Sequence, residues 1–328
     1  MLSFRQFLTE GGAGGHMAHP FDIADNGQEL LDIFQDSISK IEKGTTSVKI
    51  DGINASLRLV DGKFVLDRGS AKPLDVKGVR PEDLEARFGE GHGFVDKGKK
   101  IIQIFDAAYS KTKPELKKLG LLDNPNIMLN VEYVEGQTNV VQYELENFLA
   151  IHGLKEIKVK NVDPKTGVIK SREASNISYD KGTMASYIKK LSQVAKEYGF
   201  SVVGNIGVGF KTKPNLAAVL SKKITLNDTT KTLGEWLKGI KISRPLITKK
   251  EFLQIDASDK KDLTDKQISD YIIYWATIYL GEEILKNASS ALGDLENQEG
   301  IVLTRDDGSY YKITGKFFLR GMESAFQK

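Results

Sequence analysis

The chain has 328 residues, 40% of them hydrophobic and 28% charged, with a formal net charge of +3. That length allows two domains, or one with an insertion, and no apolar run reaches the roughly 18 residues of a membrane span. There is no cysteine, which excludes disulfides, thiol nucleophiles and cysteine zinc sites. With no apolar leader in M-L-S-F-R-Q-F-L-T-E, a cytoplasmic protein is expected.

Residues 9–19, T-E-G-G-A-G-G-H-M-A-H, are glycine-rich and read as irregular; the pair His16 and His19 lacks a third metal ligand and reads as a packing segment. From Gly27 to Lys43 the apolar positions Leu30, Leu31, Ile33, Phe34, Ile38 and Ile41 predict an amphipathic helix. Ser47–Val60 and Lys63–Asp67, joined by Asp61-Gly62, predict a β-hairpin. A charged helical stretch follows from about Pro81 to Leu119, broken by glycines at 89–98. Strands are expected at Ile127–Val134 and Asn147–Leu154, and a hairpin over 156–172 around Asp163–Gly167.

From about Ser178 helix is expected for over a hundred residues, with Met184, Tyr187, Ile188, Leu191, Val194, Ala195 and Tyr198 at helical spacing. Capping boxes at Thr232-x-x-Glu235 and Thr264-x-x-Gln267 mark helix starts, and Tyr271–Leu280 reads as a buried helix. Gly204-Asn-Ile-Gly-Val-Gly-Phe-Lys lacks the G-K-[ST] of a phosphate loop and reads as an ordinary glycine cluster. Residues 210–250 hold ten Lys or Arg against two acids and include Trp236, which suits a polyanion. Strand character returns at Gly300–Leu303 and Ser309–Ile313.

Lys49 stands out in S-V-K-I-D-G-I-N-A-S-L-R-L (47–59). An amine attacks phosphorus or carbonyl carbon only when unprotonated, so burial or neighbouring positive charge must lower its pKa. A lysine on an apolar strand, followed by a glycine that permits close backbone approach, offers that setting. Further segments follow in order: V-L-D-R-G-S (65–70), N-V-E-Y-V (130–134), E-G-I-V-L (299–303) and Y-Y-K-I-T-G-K (310–316).

In this order the segments resemble the covalent nucleotidyltransferase superfamily of polynucleotide ligases and RNA capping enzymes, over roughly residues 45–155 and 295–318. Asn54, five residues after the lysine, is similar to the pattern of phage-type RNA ligases that seal nicks in duplex RNA; DNA ligases and capping enzymes usually carry arginine there.

The resemblance implies an α+β fold of ATP-grasp-like antiparallel sheets with flanking helices over residues 1–175 and 295–328. Residues 176–294 would form a helical, partly basic insert that binds nucleic acid. It implies ATP, Mg²⁺ or Mn²⁺, RNA in preference to DNA, a role in RNA repair, and a bacteriophage protein acting in host cytoplasm. Lys49 would carry AMP. Arg68 would brace the ribose or a terminal phosphate, Glu132 would accept a ribose hydroxyl, Glu299 would hold the metal, and Lys312 would grip the α-phosphate. Asn54 belongs to the same nucleotide site.

The adenine-stacking position falls at Ile151 by register, with Phe148 beside it. Lys316 would stand in for the second lysine of the last motif, whose usual place Thr314 occupies. Only sixteen residues follow Lys312, which is expected to leave no room for the further domain of DNA ligases and capping enzymes. The alternatives are an ATP-dependent DNA ligase, a GTP-using capping-type enzyme, and a catalytically inactive nucleic-acid-binding or virion protein of the same fold.

Overall fold

The structure is a computed structural model that describes residues 17–136, 141 and 143–319. It is mixed α and β, with largely antiparallel sheets. In chain order the first strands are β1 (Ser47–Lys49), β2 (Ile53–Val60), β3 (Lys63–Leu66), β4 (Ile127–Glu135), β5 (Asn147–Val162), β6 (Ile169–Ile177) and β7 (Ser201–Val203). They are followed by β8 (Val208–Phe210), β9 (Lys223–Leu226), β10 (Thr229–Thr232), β11 (Ala288–Ser290), β12 (Gly293–Asp294), β13 (Gly300–Thr304) and β14 (Tyr310–Ile313). The chain divides into two compact units.

The first unit holds residues 52–136 and 145–205 of those described. Its sheet runs β3-β2-β4-β5-β6 with antiparallel neighbours, and β7 adds parallel to β5. Alternation selects the faces: Ala55, Val131 and Ile151 pair across β2, β4 and β5 and turn to the core, as do Tyr133 and Leu149. The helix Phe94–Lys118 covers this face with Ile101, Phe105, Ala108 and Leu116, at the spacing of one helical stripe. The helix Lys181–Ala195 adds Met184, Tyr187 and Leu191, and starts where the Asp180 side chain accepts the Thr183 N–H. This helix, just past the expected boundary at residue 176, packs in the first unit.

The second unit holds residues 17–51, 141, 143, 144 and 206–319. Its largest helices are Gly27–Glu42, capped by Asn26, and Asp265–Lys286, capped by Thr264. The latter is apolar on most sides, with Tyr271, Ile272, Ile273, Ala276 and Leu280 buried. No helix among the described residues is long and apolar enough to cross a membrane. The sheet β1-β13-β14 brings chain segments 47–49 and 300–313 side by side. Smaller sheets are β12-β11-β8 and the β9-β10 hairpin.

Two expectations are corrected. The single strand Ser47–Val60 is two strands in different units, interrupted at Ile50–Gly52. The cause is a change of phase: the apolar positions are even at Val48 and Ile50 and odd from Ile53 to Leu59, so one flat strand would turn half of them away from a core. The continuous helical stretch after Ser178 instead contains six short strands, β7 to β12. Its clearest interruption is the hairpin at Asn227-Asp228, where both residues take positive φ (48° and 60°). That geometry suits asparagine and aspartate in a tight hairpin turn. Both expected capping boxes form, with a third at Thr248-x-x-Glu251.

Gly300 couples β13 to β14. Its φ is +146°, and a Cβ placed there would lie 2.0 Å from the Ile313 carbonyl oxygen. Gly300→Ala is therefore expected to cost roughly 2–3 kcal/mol, through strain at positive φ and a steric clash. Thermal or urea unfolding checks this; an unchanged midpoint would contradict it.

Candidate active site

In the second unit, Val48, Ile301 and Ile313 pair across β1, β13 and β14 and are buried, so Lys49, Gly300 and Lys312 share the opposite face. Lys49 lies across from Gly300, and Glu299 immediately precedes β13. The Lys49 Nζ donates to Glu299 Oε2 at 2.9 Å and to the Ile50 carbonyl at 2.9 Å. Both side chains are largely shielded, at 23% and 11% exposure. The structure thus brings together Lys49 and Glu299, which are 250 positions apart in the chain.

Burial pushes the Glu299 carboxyl above its usual range; Lys49 pulls it back, Asp51 pushes it further up, and Lys312 lowers it. Burial likewise depresses the Lys312 ammonium, opposed by Glu299 and reinforced by Lys49. Lys49 thus acts on both the Glu299 carboxyl and the Lys312 ammonium, and the three are electrostatically linked. Lys316 is exposed, and its backbone N–H donates to Glu282 Oε2 at 3.0 Å. Position 314 is a buried threonine.

Sequence reasoning missed two basic groups beside Lys312. Its backbone N–H donates to the Ala18 carbonyl at 2.9 Å, so the M-A-H-P-F segment runs along β14. His19 stacks on Phe21 with ring centroids 5.2 Å apart and meets Phe318 edge-on at 4.8 Å. Burial, then Lys312, then Lys249 hold the imidazole down to about 3, so it is neutral. Lys249, the first residue of the helix Lys249–Asp256, donates to the Phe318 carbonyl at 2.8 Å with its Nζ 3.8 Å from the Phe318 ring centroid. Its ammonium is lowered to about 8 by burial and by Lys312. His16, the other half of the histidine pair, lies outside the described residues, as do Met1–Gly15.

The depressed Lys249 pKa has a consequence for stability. Between about 8 and its ordinary value near 10.5 the folded chain binds fewer protons at this site than the unfolded chain, so the penalty for burying the charge fades as pH rises through that window. Lys249→Met is expected to raise stability at pH 7 by roughly 1–2 kcal/mol, with the lost Phe318 contacts offsetting part of the gain. The advantage should shrink between about pH 8 and 10.5, as measured by urea midpoints across pH. A difference that grows with pH would reverse the assignment.

The first unit carries the remaining candidates on the face of its sheet opposite the helices. Asn54 pairs with Glu132 across β2 and β4, and Glu132 with Ala150 across β4 and β5. The Asn54 amide donates to Asn130 Oδ1 at 3.0 Å, and Glu132 Oε1 accepts the Gly52 N–H at 3.2 Å. A Cβ on Gly52 would meet the Tyr133 carbonyl oxygen at 2.8 Å and Glu132 Cγ at 2.9 Å, which explains the glycine after Asp51. Arg68 follows β3 and donates to the Asn54 carbonyl at 2.7 Å.

Asp67 anchors this loop, accepting from Arg58 Nε and Arg172 Nη2, each at 2.8 Å, and from the Gly69 N–H at 2.6 Å. Asp75, wholly buried, takes both ends of the Arg87 guanidinium at 2.9 Å and binds the Ser70 hydroxyl.

Ile151 is not on this face; it is 1% exposed within the core, paired with Val131. Alternation along β5 puts His152 with Ala150 on the Glu132 side, its Nε2 3.3 Å from Glu132 Oε2, and the irregularity opposite Asn130/Val131 shifts the phase only beyond it, so that Leu154 returns to the core. Phe148 shares that side and is wholly buried. Lys155, opposite Met128, is a further basic group missed in the sequence, its ammonium lowered by burial and raised in part by Glu132. The alternation K-E-I-K-V-K after Leu154 was the available signal.

Among the described residues no cluster of three or more His, Asp or Glu side chains forms a ready metal cage. Magnesium commonly takes one or two carboxylates and completes its shell with phosphate and water oxygens. The donor set fits that mode through the shielded Glu299 carboxylate, with the acid Asp51 within electrostatic reach. Much of the basic segment is locally engaged. Lys211 pairs with Asp294 at 2.9 Å, Lys231 lies over Trp236, Lys222 lies over Trp275 and Tyr279, and Arg244 donates to the Phe21 and Ala24 carbonyls. No known family model matches the chain, and no curated protein sequence is significantly similar to it.

Proposed function

We propose that the protein is an ATP-dependent polynucleotide ligase of the covalent nucleotidyltransferase type, with RNA ends as its substrate. The observation that carries this reading is the shielded Lys49–Glu299 pair at 2.9 Å, flanked on the same sheet face by Lys312. At rest the Glu299 carboxylate favours the Lys49 ammonium, whereas the like charge of Lys312, and a metal ion taken up by Glu299, would favour the neutral amine that attacks.

The proposed chemistry has three displacements. The unprotonated Lys49 amine attacks the α-phosphorus of ATP, a P–N bond forms, the bond to pyrophosphate breaks, and the amine gives up a proton. A terminal 5′-phosphate oxygen then attacks the same phosphorus and releases Lys49. Finally the 3′-hydroxyl attacks the activated 5′-phosphate and AMP leaves.

Lys312 meets the charge that builds on the α-phosphate. Glu299 is the residue that would hold Mg²⁺ or Mn²⁺, whose contribution when bound is to neutralise phosphate charge. Glu132 and Asn54 offer hydrogen-bonding groups for a ribose, and Arg68 offers a guanidinium for paired oxygens. His152 takes the stacking role that the buried Ile151 and Phe148 cannot, and the exposed lysines of 210–250 bind a nucleic-acid backbone. The ligase-type nucleotidyltransferase fold and an origin in phage RNA repair belong to the same proposal.

The test is incubation with α-labelled ATP and a divalent metal, then denaturing electrophoresis, with unlabelled GTP as competitor. Acid-labile, alkali-stable label that ATP alone displaces is expected. Absence of label with every nucleotide would sink the reading, and displacement by GTP would move it to a capping-type enzyme.

A further inference from the structure

His19 and Lys249 meet at Phe318, and Lys312 is joined to them from a third stretch of the chain. His19 packs edge-on to the Phe318 ring, the Lys249 ammonium sits over that ring and on the Phe318 carbonyl, and Lys312 is tied through its own N–H to the residue before His19. The His19 Nδ1 is buried and has no hydrogen-bond partner among the described residues. Asp22 and Glu299 are the acids that act on Lys312, while Lys49, His19 and Lys249 are the basic groups around it. A half-buried collection of bases whose charges oppose one another is costly unless an anion relieves it, and a buried ring nitrogen without a partner is a vacant hydrogen-bonding position.

We propose that His19, Lys249 and Lys312 form a site for a diphosphate group, in which the neutral imidazole supplies a hydrogen-bonding nitrogen and the two lysines supply charge. This deepens the proposed function, and rests on it in one respect: the diphosphate is taken to be the pyrophosphate end of the nucleotide that Lys49 attacks. The helix Lys249–Asp256 then contributes to nucleotide handling, and M-A-H-P-F is part of the binding machinery as well as a packing segment. Holding the leaving group in line with the attacking amine would favour cleavage at the α-phosphorus.

The test uses the full chain and inorganic pyrophosphate, titrated by calorimetry near pH 8.5 in buffers of differing ionisation enthalpy. A bound anion raises the Lys249 pKa, so pyrophosphate binding should be accompanied by proton uptake. Lys249→Met should weaken pyrophosphate binding about tenfold or more and abolish the uptake. Lys249→Arg should keep most of the affinity. His19→Phe, which retains the packing against Phe21 and Phe318, should weaken it severalfold, and AMP affinity should be unchanged in all three.

No pyrophosphate binding by the unsubstituted chain, or equal affinity in Lys249→Met, overturns the site. So does a loss of AMP binding in parallel with pyrophosphate, which would mark a purely structural role. The two readings fail separately. Pyrophosphate binding without any nucleotide adduct removes the ligase and leaves the anion site, whereas adduct formation with unaltered pyrophosphate affinity across the variants does the reverse.

Discussion

Lys49→Arg is expected to abolish covalent labelling by α-labelled ATP, by a factor of about 1,000 or more, while leaving the chain folded. Arginine preserves the positive charge and can pair with Glu299, so the ion pair and the sheet β1-β13-β14 survive. It cannot give up its proton at accessible pH, so it cannot attack phosphorus. The contrast with Lys49→Ala is informative. Alanine removes the nucleophile but also strands Glu299 in a shielded position, so its chemical and structural effects are mixed. Labelling by gel and unfolding by urea, on both variants, separate the two. Residual label in Lys49→Arg at more than a few per cent would mean that another group takes the nucleotide.

The largest stability effect is expected at Asp67. Its carboxylate is fully buried and neutralises two guanidiniums, Arg58 and Arg172, whose side chains are 7% and 5% exposed. Asp67→Ala would leave both charges buried with only carbonyl partners, at a cost of roughly 3–5 kcal/mol. It also frees the loop that carries Arg68, which would lose its fixed approach to the Asn54 carbonyl. Adding Arg172→Met to Asp67→Ala should recover part of the loss, because one unpaired charge disappears. Thermal unfolding of the single and double variants measures this, and a loss below about 1 kcal/mol in Asp67→Ala would show that the network is not buried as described.

Local patterns were legible where they alone determine structure. The helix Gly27–Glu42, the strands β4 and β14, and two capping boxes follow from spacing and cap chemistry close to their observed bounds. What was not legible required knowing which residues become neighbours. The β1/β2 break is written in the parity change between Ile50 and Ile53, but it takes its meaning from strands far along the chain. Ile151 lies on the core side by plain alternation from Leu149, away from Glu132, and the extra residue at His152 only shifts the phase of β5 beyond it, which puts Leu154 in the core. His19 and Lys249 look like an irregular segment and a solvated lysine until Phe318 is set between them.

The separation between Lys49 and Glu299 also governs when the cluster can exist. The first unit is built from residues 52–136 and 145–205, a nearly continuous stretch, whereas the second unit pairs 17–51 with 206–319. During synthesis the first unit's sheet can close early, but β1 must wait for β13, about 250 residues later. Until then Lys49 has neither its carboxylate partner nor the Lys312 charge, so, if the proposed function holds, a chain interrupted on the ribosome would carry Lys49 without the groups that activate it, and reactivity would belong only to the nearly finished polypeptide.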